Sequence, residues 1–485
     1  MEKIKLTLRD SSKARWTALI ILSFTMFAGY WFTEVISPLK SIIERTYGWD
    51  SADYGWVTSA YGLFNVFFIM LIIVGVLLDK FGIRFSTITS VVIMIIGASI
   101  KYLAFKGNFS VTNEINFLGL QINEQAFMAS MGYALFGVGV EYAGITVSKS
   151  VVKWFKGKEI ALAMGMQVSI ARLGSFAPLA FGAKIASTKG VPFTILIVII
   201  ALILGLIAFF YYNFMDKKLD KQIGANELDK SDEDVFKLSD ILLIIKNRGF
   251  WLIAVLCVLF YSAVFPFYKY GPDLMLNKFG VSENWSGLLP SLVPFGTMFL
   301  TPFFGSLYDK KGKGATIMIL GAILLIFVHI IFYIPGITSV FVAFFNVILL
   351  GIGFSLVPSA MWPSVPKIIP EKQLGSAFAL IFWIQNFGLW GIPLLVGNVL
   401  NKTNPGISEK INSISDGFKS QGFDPDQINE KIRVLREVGE YPVYDYQTTW
   451  IIFVGLTVLA LLVAFWLKAE DKRKGYGLEL PNIQK

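Results

Sequence analysis

The 485-residue chain is 55% hydrophobic and only 16% charged, with a mean hydropathy of +0.62. Soluble proteins carry about 25% charged residues, so this composition excludes a large water-soluble core and points to a polytopic membrane protein. The formal charge of +9 does not imply nucleic-acid binding, because Lys and Arg gather at the ends of apolar segments on alternate loops. One cysteine (Cys257) and one histidine (His329) leave no disulfide framework and no His- or Cys-based metal cluster within one chain. No cofactor is expected.

A basic head (Lys3, Lys5, Arg9, Lys13, Arg15) precedes the first apolar run. That run has no small-residue cleavage site, so it reads as a retained span and not as a signal peptide. Hydropathy then predicts twelve spans of about 20 residues or more: 16–38, 53–78, 85–105, 125–150, 159–183, 191–214, 250–275, 284–307, 315–333, 339–364, 374–400 and 447–467. Only helices satisfy their own backbone in hydrocarbon, and these runs are too long for barrel strands. The expected fold is an all-α membrane protein of twelve transmembrane helices in two pseudo-symmetric six-helix halves, 1–214 and 249–468. A polar, charged linker (215–248) joins them, and a tail (469–485) follows. The basic loops fall on one side of the membrane, which the positive-inside bias assigns to the cytoplasm together with both termini. On the other side the long loop 401–446 carries balanced charges, and its 426–440 section reads as a short helix over the mouth of the protein.

Two charges interrupt apolar runs near mid-depth: Glu141 in the fourth span and Arg172 in the fifth. A charge there costs about 2.5–3.5 kcal/mol by insertion scales, so such groups face a bundle interior or a wet cavity. The connecting loop is short, so these two helices are antiparallel neighbours. Glu141 lies about nine residues from that loop and Arg172 about thirteen beyond it, a mismatch of roughly one turn at ~1.5 Å per residue. An anion and a cation can therefore face one cavity. Two readings follow: a structural ion pair, or a pair that separates to grip the ammonium and carboxylate of a small zwitterion, with the planar guanidinium forking onto the carboxylate. A dipeptide, whose termini lie several ångström apart, suits the second reading better than an amino acid.

The halves also echo each other. Gly75-Val-Leu-Leu-Asp79-Lys80-Phe-Gly82-Ile-Arg84 follows the second span, and Gly305-Ser-Leu-Tyr-Asp309-Lys310-Lys311-Gly312-Lys313-Gly314 follows the eighth. This repeat resembles the Gly-x-x-x-Asp-Arg/Lys-x-Gly-x-Arg/Lys loop of the major facilitator superfamily. The resemblance implies a gating role for Asp79, Arg84, Asp309 and Lys313 on the cytoplasmic side.

A narrower resemblance rests on four stretches: Trp154-Phe-Lys-Gly-Lys-Glu159 with Gln167-x-Ser169-x-Ala171-Arg172-x-Gly174-Ser175; Phe250-Trp-Leu-Ile253 with Ala263-Val-Phe-Pro-Phe267; Trp362-Pro363 with Pro370-Glu371-x-Gln373-Leu374-Gly375; and Ile384-Gln385-Asn386-x-Gly388-Leu389. These are similar to the family of the lysosomal dipeptide transporter called major facilitator superfamily domain-containing protein one. The resemblance implies facilitated dipeptide movement, with an acid on the fourth span and an arginine on the fifth holding the substrate. Glu141 and Arg172 stand at those positions. Glu34 stands where an aspartate is expected, and no acidic-dileucine sorting signal is present in the N-terminal tail.

Asn65, Gln167, Gln385 and Asn386 are amides within apolar spans that can bond a peptide backbone or a neighbouring helix. Trp362 lies beside Pro358 and Pro363, where a distorted helix is expected. Glu34 is either an interfacial carboxylate or a proton-coupling one, and His329 and Cys257 read as packing residues. The expected function is a monomeric, non-enzymatic dipeptide uniporter working by alternating access. The rivals are a proton-coupled carrier of an organic anion or amino acid, and a non-transporting nutrient receptor. The expected location is an inner membrane of bacterial type, with a lysosome-type organelle membrane as the alternative.

Overall fold

The computed structural model describes residues 7–117, 119–223, 238–370 and 373–482. The acidic run of the linker, 226–234, and Glu371 lie outside the described residues.

The first half begins with α1 (Ser12–Glu34), capped by Ser11, whose side chain accepts from the Ala14 amide. A short 3₁₀ turn, Ser37–Leu39, and α2 (Lys40–Tyr47) carry the chain across the far face. The second span is built from pieces: α3 (Ser51–Ser59), a 3₁₀ turn Ala60–Gly62, α4 (Leu63–Phe67) and the start of α5 (Met70–Leu103). The third span is the remainder of α5. The two are separated inside α5 at Gly82, whose φ of 75° and ψ of 174° are not helical. Helices α6 (Glu124–Phe155), α7 (Ile160–Lys189) and α8 (Val191–Ile223) complete the half. Helix α8 thus continues into the residues read as linker.

After α9 (Leu238–Ile245), the second half comprises α10 (Arg248–Phe279), α11 (Leu288–Lys311), α12 (Gly314–Tyr333), α13 (Val340–Ile368), α14 (Leu374–Thr403) and α17 (Gln447–Lys474). Between α14 and α17 lie two amphipathic outer helices, α15 (Ile407–Ser420) and α16 (Pro425–Glu437). The second fulfils the expected helix in the outer loop, with an Asp424 capping box and Pro425 at its first position. Sequence reading missed the first.

Among the described residues, ten helices are long and apolar enough to cross a membrane. The expectation of twelve spans is met because α5 bends through two of them and because α7, at 30 residues, is a further full-length helix. Large apolar side chains such as Phe210, Phe214, Phe303 and Phe341 stand exposed on the outside, as a lipid-facing surface requires. Among the described residues, the strands are confined to a hairpin, β1 (Glu114–Phe117) against β2 (Leu120–Asn123), with Ile115 opposite Ile122. It ends in Asn123, the N-cap of α6.

The repeat seen in the sequence has a backbone counterpart. Gly82 and Gly312 both sit at positive φ, 75° and 70°, between the paired spans of their halves. That conformation is open to glycine at no steric cost. The prolines of α13 do not break it, and the helix runs on to Ile368.

The halves meet most tightly at the ends opposite the termini, here called the loop side. A Cβ on Gly397 of α14 would lie 2.4 Å from the Ser51 carbonyl and 2.7 Å from the Gly55 Cα of α3, so the two backbones touch. Gly397→Val is therefore expected to prise the loop side apart without unfolding either half. Amide hydrogen exchange at the loop-side ends of α1, α3 and α14 should rise by about tenfold or more, and unchanged exchange would show that this close approach does not hold the seam.

Candidate functional site

Glu141 is carried near the middle of α6 and is half-buried. Its Oε1 accepts a 2.7 Å hydrogen bond from Tyr61, which lies in the 3₁₀ turn of the second span. Gly137, one turn earlier on α6, packs its Cα where a Cβ would meet the Tyr61 carbonyl at 2.3 Å. The absence of a side chain there seats Tyr61 beside Glu141.

Arg172 is carried by α7 and is likewise half-buried. Its guanidinium lies over the Phe354 ring of α13, in the opposite half, 5.5 Å from the centroid. Its Nη1 is buried with no hydrogen-bond partner. Tyr30 of α1 is within electrostatic reach of both Arg172 and Glu141, and Tyr261 and Tyr268 of α10 are within reach of Arg172. Arg172 therefore faces the gap between the halves, and no ion pair joins it to Glu141 on the adjoining helix. A cation–π contact with Phe354 stabilises the guanidinium by about 0.5–2 kcal/mol but supplies no acceptor.

Around these charges, Trp362 donates from Nε1 to the Tyr261 hydroxyl at 3.1 Å and packs against Phe382 in a tilted ring pair, 5.0 Å between centroids. Through Tyr261 it borders the arginine. Asn65 on α4 and Asn386 on α14 are buried, and each spends its amide on its own helix, at the Tyr61 and Phe382 carbonyls. The Oδ1 of each is buried without a partner. They flank a cross-half seam in which a Cβ on Gly62 would lie 2.8 Å from the Asn386 carbonyl. Gln167 and Gln385 are buried in α7 and α14. Trp383, left unassigned in the sequence, bridges the halves by donating to the Val66 carbonyl at 3.0 Å.

The loop side is bound by charge. Lys269 of α10 reaches Glu34 of α1 at 2.8 Å. Lys40 of α2 pairs with Glu44 at 2.6 Å and with Asp273 of α10 at 3.3 Å. Arg45 forks onto Glu283 at 2.5 and 2.7 Å. The outer helices join the same seam: Ser415 of α15 donates to the Arg45 carbonyl, and Asn429 of α16 accepts from Arg45 and donates to the Ser187 carbonyl in the last turn of α7. Glu34, expected as an interfacial or coupling carboxylate, is thus a cross-half contact.

On the termini side the repeat residues bond within their own halves. Asp79 accepts from Lys149 of α6 at 2.8 Å. Arg84 pairs with Asp220 at 2.7 Å and Asp216 at 3.5 Å on α8, and Lys153 meets the same two acids at 2.6 and 2.7 Å. Asp309 is held by Asn482 of the C-terminal tail at 2.7 Å, and the Lys313 amide donates to the Glu479 carbonyl. Each of these contacts lies within one half. Sequence reading missed Tyr61, Tyr30, Phe354, Lys269 and Asp216. A signal for Tyr61 existed, since it lies four residues before Asn65 and so shares its helical face. The others depend on pairings between distant spans.

Two six-helix halves joined at one end are the architecture of an integral membrane transporter, and the family to which the chain belongs is one of transporters and not of enzymes. The chain belongs to the Major Facilitator Superfamily, whose family pattern matches residues 19–391. It is 28% identical over 404 residues to the protein of Danio rerio named lysosomal dipeptide transporter MFSD1, covering 80% of this chain and 81% of that one. It is 29% identical over 400 residues to the Homo sapiens protein of the same name, covering 80% of each. The fold superposes on a bacterial homologue of the human lysosomal transporter Spinster, solved inward-facing and occupied, with a TM-score of 0.65 at 14% identity over 95% of this chain and 98% of that one.

The termini-side cluster carries its own expectation. Asp216 is buried against Lys153, Arg84 and the Trp154 indole. Asp216→Asn is expected to lower unfolding stability by less than the roughly 3–5 kcal/mol of a broken buried pair, because Asp220 still faces both bases. Asp216→Asn with Asp220→Asn should lose more than the two single changes together, measured as unfolding midpoints of the purified protein.

Proposed function

We propose that this protein moves dipeptides across its membrane by alternating access, as a facilitator, with Glu141 taking the peptide ammonium and Arg172 its carboxylate. The observation that carries the reading is the buried, unpartnered Nη1 of Arg172, facing the gap between the halves with Glu141 on the adjoining helix. A guanidinium donor without an acceptor is costly at this depth, and a carboxylate is the acceptor whose geometry matches its fork. The names of the curated relatives support the substrate class. Tyr61 orients Glu141. Asn65, Gln167, Gln385 and Asn386 are the candidates to bond the peptide backbone, and Trp362 with Tyr261 forms an apolar wall for its side chains. Asp79, Arg84, Asp309 and Lys313 would close the termini side when the halves rock the other way. The termini are assigned to the cytoplasm from the distribution of basic loops. The relatives' printed name favours an organelle membrane of lysosomal type over a bacterial-type inner membrane.

Arg172→Ala is expected to abolish dipeptide-induced thermal stabilisation while the protein stays folded, and parental affinity in that variant would overturn the assigned carboxylate partner. Glu141→Gln should weaken binding of free-amine dipeptides at least tenfold, about 1.4 kcal/mol, and N-acetylated ones much less. Equal losses would remove the ammonium site. Uptake into proteoliposomes separates a facilitator from a proton-coupled carrier: a facilitator equilibrates dipeptide at the same level with and without a pH gradient.

A further inference from the structure

Within the loop-side seam one carboxylate, Glu34, stands near two lysines, Lys269 and Lys101. Glu34 is buried at the end of α1, where it accepts from Ser37 at 2.6 Å and from Lys269 at 2.8 Å. Lys269 comes from the opposite half and also donates to the Thr33 carbonyl. Lys101, on α5 in the same half as Glu34, is completely buried, and its Nζ has no hydrogen-bond partner. It rests 3.9 Å from the centroid of the Tyr133 ring. Lys269 leans on the same ring, 5.9 Å from its centroid and 3.5 Å from its hydroxyl. Lys101 is within electrostatic reach of both Glu34 and Lys269. The Tyr133 hydroxyl is itself fixed by the Thr33 carbonyl at 2.7 Å.

A buried lysine Nζ without an acceptor is an expensive group, and the ring face compensates it only in part. Its cost is explained if the partner it lacks in this arrangement is supplied in another. We propose that Lys101 is the alternate partner of Glu34, so that the two lysines exchange one carboxylate as the loop side opens and closes. With the loop side closed, Lys269 crosses from the other half to Glu34 and Lys101 rests on Tyr133. When the halves part, Lys269 withdraws into water with its own half, and Glu34 turns to Lys101, which travels with it. The carboxylate stays paired at both ends of the cycle, and the lysine left over is either solvated or held on an aromatic face. Neither state is then strongly favoured, as a reversible gate requires. Lys101 is a positioning residue and contacts no substrate. The inference rests on the rocking of the halves proposed above but not on what they carry.

The test uses the full chain in nanodiscs with spin labels at Asn108 and Ser339, both exposed at loop-side ends of opposite halves. The single native cysteine, Cys257, is buried and will not compete for label. Distances between the labels are measured by double electron–electron resonance. The parent is expected to show a short and a long population. Lys269→Met should enrich the long one and Lys101→Met the short one, each by at least fivefold in the population ratio. Adding Glu34→Gln to Lys101→Met should return the ratio to that of Glu34→Gln alone, because a neutral group has no charge to exchange. A Lys101→Met ratio equal to the parent's, or shifted toward the long distance, would overturn the exchange while leaving the rocking intact. A parent that shows one distance under all conditions overturns the rocking and the exchange with it. Should Lys101→Met not fold, the comparison of Glu34→Gln with Glu34→Gln/Lys101→Met still decides, since any difference between those two contradicts the proposal.

Discussion

A charge within the membrane needs a counter-charge, water or a ring face, and this requirement organises the molecule from one end to the other. On the loop side each cation that crosses the seam finds a carboxylate: Lys269 with Glu34, Lys40 with Asp273, Arg45 with Glu283. On the termini side the acids and bases are also satisfied, but within a half: Lys153 and Arg84 with Asp216 and Asp220, and Lys149 with Asp79. Between these layers stands Arg172, with a ring where its partners elsewhere have carboxylates. These named pairs therefore differ between the ends: they cross the halves on the loop side and stay within a half on the termini side.

Ion pairs alone would not hold such a seam, since a buried pair roughly breaks even against its own desolvation. The backbone makes the difference. Gly55 against Gly397, and Gly287 against the Leu179 carbonyl, bring helices of opposite halves close enough that any side chain would intrude. Small residues permit this packing in a bilayer, where no hydrophobic force drives one helix onto another. The outer helices add a third component. The Tyr444 hydroxyl donates to Glu44, and the Tyr446 hydroxyl donates to Asp273, so the connection from α16 to α17 reaches into the charged layer that it covers.

What the sequence could disclose follows from range. Spans are local, and their positions emerged from hydropathy alone. The repeat was legible because Gly82 and Gly312 serve the same left-handed turn in both halves. Glu141 and Arg172 stood out because a lone charge in an apolar run is conspicuous. Lys269 was not conspicuous in this way: it sits within an aromatic stretch, and its partner Glu34 lies 235 residues away. The ring behind Arg172 was hidden for the same reason, since many phenylalanines on α13 and its neighbours are equivalent until the halves are docked. Helix α15 was missed because short polar helices carry little hydropathy signal, although its apolar side is periodic.

The separation of Glu141 from Arg172 bears on which reading of that pair is favoured. A direct ion pair would satisfy both groups and would have to be broken by every incoming substrate. Here each is held by a weaker neighbour, Glu141 by one phenol and Arg172 by one ring. A phenol hydrogen bond and a cation–π contact fix position without cancelling charge, so the two ends remain available at a set spacing. That is preorganisation in the sense that matters for binding: the cost of orienting the charges is met by the fold before a ligand arrives. A carrier gains a second advantage from it. Charges held only by a phenol and a ring need not be pried from strong partners, and because Phe354 belongs to the half opposite the one that carries Arg172, Glu141 and Tyr61, parting of the halves takes the ring away and leaves the spacing of the two charges as it was.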